Sequence, residues 1–207
     1  NCRSVSLVVS WFGDDLRCNT CSIRPKVESR ASEGQGMTWS AGGIGRSAAD
    51  LVVTLQGRPA YGGTPADLAV IEAIRDMTAR GIGTVFYPFV LMDQTHGNGL
   101  NDPWGRPEQP AFPWRGRITT SIAPGVPGST DRTSAARNEV ASFFGIAQPS
   151  DFNRQGTTVS YAGPNEWSYR RFILHYAHLC AAAGGVDAFC IGSEMRGLTQ
   201  IRDDNDS

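Results

Sequence analysis

The sequence predicts an α/β protein built on a parallel sheet, either a small open domain or part of an eight-stranded barrel. Three observations carry that reading. Apolar, β-prone runs at residues 4–12, 84–93 and 186–193 are short and nearly continuous, as in strands buried on both faces. Segments with helical spacing separate them, at 64–81 and 166–183. The runs also stop at acids: Asp14-Asp15, Asp93 and Glu194. Strands alternating with helices imply parallel pairing through right-handed crossovers. Three strong strands are too few to close a barrel, which takes about 250 residues.

Taken in order, Ser4-Val5-Ser6-Leu7-Val8-Val9-Ser10-Trp11-Phe12 is a strand that ends at Gly13-Asp14-Asp15. Residues 16–50 are rich in Gly, Ser and Arg and lack periodicity. They read as a long insertion with a short hairpin around Met37-Thr38-Trp39. Residues 50–55 read as a short strand. Thr64-Pro65-Ala66-Asp67 has the pattern of a helix start: Thr64 as cap, Pro65 in the first position and Asp67 three residues after the cap. Leu68, Ile71, Ile74 and Met77 then share a face, and Gly81 ends the helix. Pro88 removes a ladder donor from the strand 84–93, so a slight bulge is expected there. Residues 94–132, dense in Gly, Pro and aromatics, are a second long insertion, and the aromatics favour order. Thr133-Ser134 caps a short helix to Phe144, stopped by Gly145; little is legible around Val159-Ser160-Tyr161. Asn165 caps a long helix over 166–183, with Trp167, Phe172, Leu174, Ala177, Leu179 and Cys180 as its apolar side and Gly184-Gly185 as its stop.

Composition narrows the function. The 207 residues are 40% hydrophobic and 19% charged, enough for a real core. A net charge of −1 gives no signature of a nucleic-acid or anionic-membrane partner. No run approaches the roughly 18 apolar residues of a membrane span. The chain opens directly on a strand and closes on a polar run, and it reads as a single-domain segment of a longer protein. Five cysteines, with Cys180 and Cys190 in apolar surroundings, argue against a disulfide scaffold. Cys18-Asn19-Thr20-Cys21 offers two of the four ligands a structural zinc needs. A local disulfide or two free loop thiols is the favoured reading, with Cys18 and Cys21 as metal ligands the minor one. His175 and His178 lie three apart on a helix without a partner acid, so a packed or solvated face is expected. Arg170-Arg171 reads as a solvated face or an ion-pair partner. Gly42-Gly43-Ile44-Gly45 lacks the context of a phosphate loop. No cofactor is implied.

Parallel sheets build their sites at the carboxyl ends of strands. Glu194 is therefore the candidate for acid/base chemistry, against the plainer reading of a carboxylate paired with Arg196 or another arginine.

Six motifs extend that reading: Val9-Ser10-Trp11-Phe12-Gly13-Asp14-Asp15-Leu16-Arg17-Cys18, Gly57-Arg58-Pro59-Ala60-Tyr61-Gly62-Gly63-Thr64-Pro65, Tyr87-Pro88-Phe89-Val90-Leu91-Met92-Asp93, Pro113-Trp114-Arg115-Gly116-Arg117-Ile118, Glu166-Trp167-Ser168-Tyr169-Arg170-Arg171-Phe172, and Phe189-Cys190-Ile191-Gly192-Ser193-Glu194. With them the chain resembles the TIM-barrel-like domain of the large tail and baseplate "host specificity" proteins of gene transfer agents and phages. The resemblance implies a glycoside hydrolase-like (β/α) barrel, of which this chain would supply about strands two to four. It implies a place in a virion or gene-transfer-agent tail, with envelope carbohydrate and other tail or baseplate proteins as partners. The Gly-Ser-Glu strand end is similar to that of clan A retaining glycosidases, which makes Glu194 the catalytic acid/base. Ser193 stands where many clan members carry an Asn that contacts the sugar 2-hydroxyl. Asp14 (with Asp15 beside it) and Asp93 would then meet sugar hydroxyls, unless they serve as caps or loop ion pairs. Trp104 and Trp114, in loop sequence, would offer flat faces to a pyranose, while Trp11 belongs to the core. The nucleophile, which ends the seventh strand in that clan, is expected outside this chain. A barrel that keeps the fold without catalysis is the alternative.

Overall fold

A computed structural model describes residues 2–31 and 36–205. Its centre is a four-stranded mixed sheet. Strands β1 (Ser4–Gly13), β3 (Gly83–Met92) and β6 (Ala188–Phe189) run parallel, and β2 (Ile23–Arg24) pairs antiparallel with β1, in the order β6-β3-β1-β2. The parallel strands are thus adjacent in chain order. Among the described residues they form an open sheet, and no barrel closes.

Helices α1 (Asp67–Ala79) and α3 (Tyr169–Ala183) pack on one face of the sheet. Strand periodicity decides what they cover. Val9 and Trp11 of β1 and Phe86 and Val90 of β3 point one way and are buried against Val70, Ile71, Ile74, Phe172, Tyr176 and Leu179. Trp11 is fully buried between Trp167, Phe172, His175 and Tyr176, with ring centroids 5.2–5.8 Å away. Removing so central a ring costs about 3–5 kcal/mol in comparable cores. Helix α2 (Ser134–Phe144) stacks Phe143 on Tyr169. A hairpin of β4 (Phe152–Gln155) and β5 (Thr158–Tyr161) packs on the outside of α3, where the sequence shows little pattern.

Several expectations need correction. Helix α1 begins at Asp67, later than the Thr64 pattern suggests, and its cap position is Ala66. Thr64 is instead buried; its Oγ1 donates to the Ser10 carbonyl and accepts from the Lys26 N–H. A tertiary bond has claimed the hydroxyl that local sequence assigns to a cap. Helix α3 begins at Tyr169 rather than Glu166, capped by Ser168, whose Oγ accepts from the Arg171 N–H. Glu166 turns back to accept from Ile146 and Ala147. The residues 50–55 split. Asp50–Leu51 pairs parallel with Lys26–Val27, and Thr54–Leu55 forms a hairpin with Arg58–Pro59. The hairpin expected at 37–39 lies just downstream, at Ser40–Ala41 and Ile44–Gly45, with Gly42 and Gly43 at its turn.

Pro88 needs no bulge, because the β1–β3 ladder runs unbroken from Ser4↔Gly83 to Gly13↔Met92. Alternate residues of a central strand address opposite neighbours. The Thr84 and Phe86 carbonyls accept from Asp187 and Cys190, so Pro88 belongs to the set facing β6. That strand ends at Phe189, and the missing N–H interrupts no bond to β1.

The run 186–193 departs most from expectation. Only Ala188–Phe189 pairs, at the sheet edge, and Ile191 is 73% exposed. A continuous apolar run suits a doubly covered strand. Here one side of β6 is left without a neighbour among the described residues.

Candidate active site at the strand ends

The parallel strands deliver their following residues to one end of the sheet, and these residues divide into two groups. The first lies after β1 and β3. Asp15 is buried and accepts from the Arg17 guanidinium (2.6 Å), the Thr20 hydroxyl (2.7 Å) and the Gln109 amide (2.7 Å). Burial alone raises its pKa, but these donors and the Arg17 N–H outweigh it and hold the carboxyl below its ordinary value. Asp14 accepts from the Ser22 N–H at 2.7 Å. Solvent reaches the residue, yet the protein crowding its carboxylate pushes the pKa up, against the opposing Ser22 N–H and Lys26. The Asp93 side chain is 0% exposed. It pairs with Lys26, the only lysine, at 2.9 Å and accepts from the Val53 N–H. Asp93 therefore ties the first insertion to the end of β3.

The second group surrounds Glu194. Its Oε2 accepts from the Trp114 indole N–H at 2.8 Å and forms an ion pair with the Arg115 guanidinium at 2.9 Å. No hydrogen bond reaches its Oε1 among the described residues, and the side chain is 54% exposed. Its backbone sits at φ 55°, in the left-handed region. A non-glycine residue held there costs on the order of 1 kcal/mol or more, and such strain concentrates at functional sites. The turn is fixed from below. Arg115 is 5% exposed, stacks 3.6 Å over the Phe89 ring and donates to the Ser193 carbonyl and the Tyr87 hydroxyl. Tyr87 also donates to the Ser193 Oγ. Tyr169 donates to the Ile191 carbonyl, and burial pushes its phenol up to about 12, so it remains a donor.

Of the sequence-predicted residues, Glu194, Ser193 and Trp114 come together here. Trp104 lies alongside, lining with Trp114, Gly116, Arg117, Arg196 and Gln200 a cleft of about 270 Å³. Asp14 and Asp93 belong to the first group. Sequence reasoning gives no role to Arg115, Tyr87 or Phe89. The alternation of Tyr87 and Phe89 on one strand face is a usable signal; nothing local marks Arg115. The carboxylate of Glu194 pairs with Arg115, not with the neighbouring Arg196 that the plainer reading named first.

The remaining candidates are packed. Cys18 and Cys21 are free thiols buried in the core rather than on an open loop. Burial pushes Cys18 up to about 12 and Cys21 up as well. Among the described residues no group of three or more His, Cys, Asp or Glu is arranged to hold a metal. His175 is buried 3.0 Å from Asp67, and His178 stacks on Phe152. Arg171 is not solvated, and among the described residues no carboxylate forms an ion pair with it. It is buried between the Tyr161 and Trp167 rings and donates to the Glu166 and Gly42 carbonyls. No helix among the described residues is long and apolar enough to cross a membrane.

Residues 167–207 match the family model of the GTA (gene transfer agent) TIM-barrel-like domain. The match takes in α3, β6 and the Glu194 turn, about a fifth of the chain, and it agrees with the motif resemblance. No match was found among curated proteins. In the part matched to the GTA TIM-barrel-like domain, Ser168 caps α3, Tyr169 anchors Ile191, and Glu194 sits at the turn after β6.

Proposed function

We propose that this chain is part of a glycoside hydrolase-like barrel in a gene-transfer-agent or phage-type tail protein, where it binds or cleaves envelope glycans. Strands β1, β3 and β6 would be the second, third and fourth of that barrel. Their adjacency in chain order supports this reading, as does the family match over α3 and the Glu194 turn. The observation that carries the chemistry is Glu194 itself. It follows a parallel strand at the carboxyl end, in a strained backbone conformation. One oxygen is clamped by Trp114 and Arg115, and none of the described residues bonds the other, which leaves it for a ligand. A retaining glycosidase works with two carboxylates about 5–5.5 Å apart. Among the described residues the groups that contact Glu194 are an indole and a guanidinium; in this reading the nucleophile lies on a later strand of the barrel, outside residues 1–207.

The structural reading also has an observation behind it. The Arg115–Glu194 pair joins the second insertion to the β6 turn, which is what a clasp in a catalytically silent barrel would do. One experiment separates the two. Glu194→Gln in the protein carrying this chain is expected to lose at least about 100-fold in cleavage of purified envelope polysaccharide, the usual worth of a general acid/base. Its melting curve should stay unchanged. Equal cleavage by both proteins removes Glu194 from the mechanism. Polysaccharide that is neither bound nor cleaved by the wild type leaves the structural barrel standing.

A further inference from the structure

The cleft beside Glu194 is built differently from the carboxylate site, and its walls specify a ligand. Trp104 is fixed by two bonds: its indole N–H donates to the Arg117 carbonyl at 2.9 Å, and its main-chain N–H donates to the Asp102 carboxylate at 3.0 Å. Trp114 is 46% exposed, and its ring is oriented by the bond from its indole N–H to Glu194. Two indoles held in place are a preorganised pair of apolar, amphipathic walls, suited to the C–H faces of a pyranose. Gln200, exposed at the edge, brings both a donor and an acceptor for hydroxyls.

Charge then narrows the sugar. Two arginines line the cleft. Arg117 is braced 3.3 Å from the fully buried Asp102 carboxylate and lies over the Trp104 ring, so its charge is largely matched. Arg196 is exposed, and among the described residues no carboxylate pairs with it. The cleft therefore carries about one unmatched positive charge on a chain whose net charge is −1. A neutral sugar would leave that guanidinium without a counter-charge. A carboxylate would meet it in the bidentate geometry arginine favours.

We infer that this cleft is a subsite for a carboxylate-bearing pyranose, seated between Trp104 and Trp114 with its carboxylate on Arg196. The inference rests on the glycan reading of the neighbouring Glu194 and names the class of sugar. It is tested by titrating the protein with a glucuronic-acid oligosaccharide and with its neutral glucose counterpart at low salt, following tryptophan fluorescence and NMR shifts. The acidic sugar is expected to bind about tenfold more tightly, the usual worth of one charge-assisted pair. Arg196→Gln should erase that preference, and Trp104→Ala should weaken both ligands, with melting curves as the control for folding. Equal affinity for the two sugars, or a preference that survives Arg196→Gln, overturns the subsite while leaving a glycan site at Glu194 intact. Failure to bind either sugar overturns the subsite, and the glycan reading of Glu194 is then decided by the envelope-polysaccharide experiment.

Discussion

Asp14 and Asp15 are neighbours with opposite electrostatics, and that difference is measurable. Asp15 is held below its ordinary 3.8 by Arg17, Gln109 and Thr20 despite its burial. A depressed carboxyl stabilises the fold above 3.8 and loses that contribution as pH falls through its folded value. Asp14 is raised above 3.8 by the protein around it, so its ionisation subtracts stability as pH climbs through the raised value. At pH 7, Asp15→Asn should therefore lower the melting temperature and Asp14→Asn should raise it. The Asp14 difference should vanish by pH 3.8, and the Asp15 difference should shrink only below it. Two shifts of the same sign at pH 7 would contradict this assignment. At this scale the sequence is half informative. Glu194 is legible because an apolar run stops there. Arg115 is not, because it reaches Ser193 across 78 positions and sits in a loop with no period. The burial of Asp93 is hidden for the same reason: its partner Lys26 lies 67 positions away.

Elements were legible wherever local pattern and tertiary demand agree. Strands β1 and β3 and helix α2 lie where the sequence puts them. The starts of α1 and α3 do not, because Thr64 and Glu166 are spent on contacts from distant segments. The hairpin at residues 40–45 shows a tertiary reason for a glycine. Gly42 has φ 62°, and a Cβ there would lie 2.7 Å from the Trp11 ring. Its carbonyl also accepts from the buried Arg171. Gly42→Ala thus adds backbone strain and a clash with the fully buried Trp11 ring, each on the order of 1–3 kcal/mol. We expect a drop of at least about 2 kcal/mol in chemical denaturation, together with a changed Trp11 environment in near-UV circular dichroism. Gly43→Ala, at a turn position where the added Cβ approaches only the Tyr161 N at 3.9 Å, should cost the strain alone. Equal losses from the two substitutions would mean that Trp11 does not set the limit.

The whole molecule is a small sheet with two long insertions anchored to its carboxyl ends, and one side chain does much of the anchoring. Gln109 is 1% exposed. Its amide nitrogen donates to Asp15 at 2.7 Å and to the Asn101 carbonyl at 3.0 Å. Its oxygen accepts from the Leu16 N–H at 2.9 Å and from Gln94 at 2.6 Å. One amide therefore joins the end of β1, the end of β3 and the second insertion, the segment that also carries Trp104, Trp114 and Arg115. The irregular loop is ordered because buried polar groups at the sheet end are satisfied through it, not because of any repeating backbone pattern. Gln109→Ala would take a bond from three buried residues at once, Asp15, Leu16 and Gln94, and one from the exposed Asn101, at about 1–3 kcal/mol for each buried group left without another partner or water. The insertion should then loosen as a unit. Limited proteolysis is expected to cut within 94–132 at least tenfold faster than in the wild type, while the amides of β1 and β3 keep their slow hydrogen exchange. Because that loop carries both Arg115 and Trp114, the same substitution should weaken the glycan binding proposed for the Glu194 site without touching the carboxylate. Unchanged cleavage within 94–132 would mean that the insertion is held by its aromatic packing, and Gln109 would then be one hydrogen-bonding residue among many.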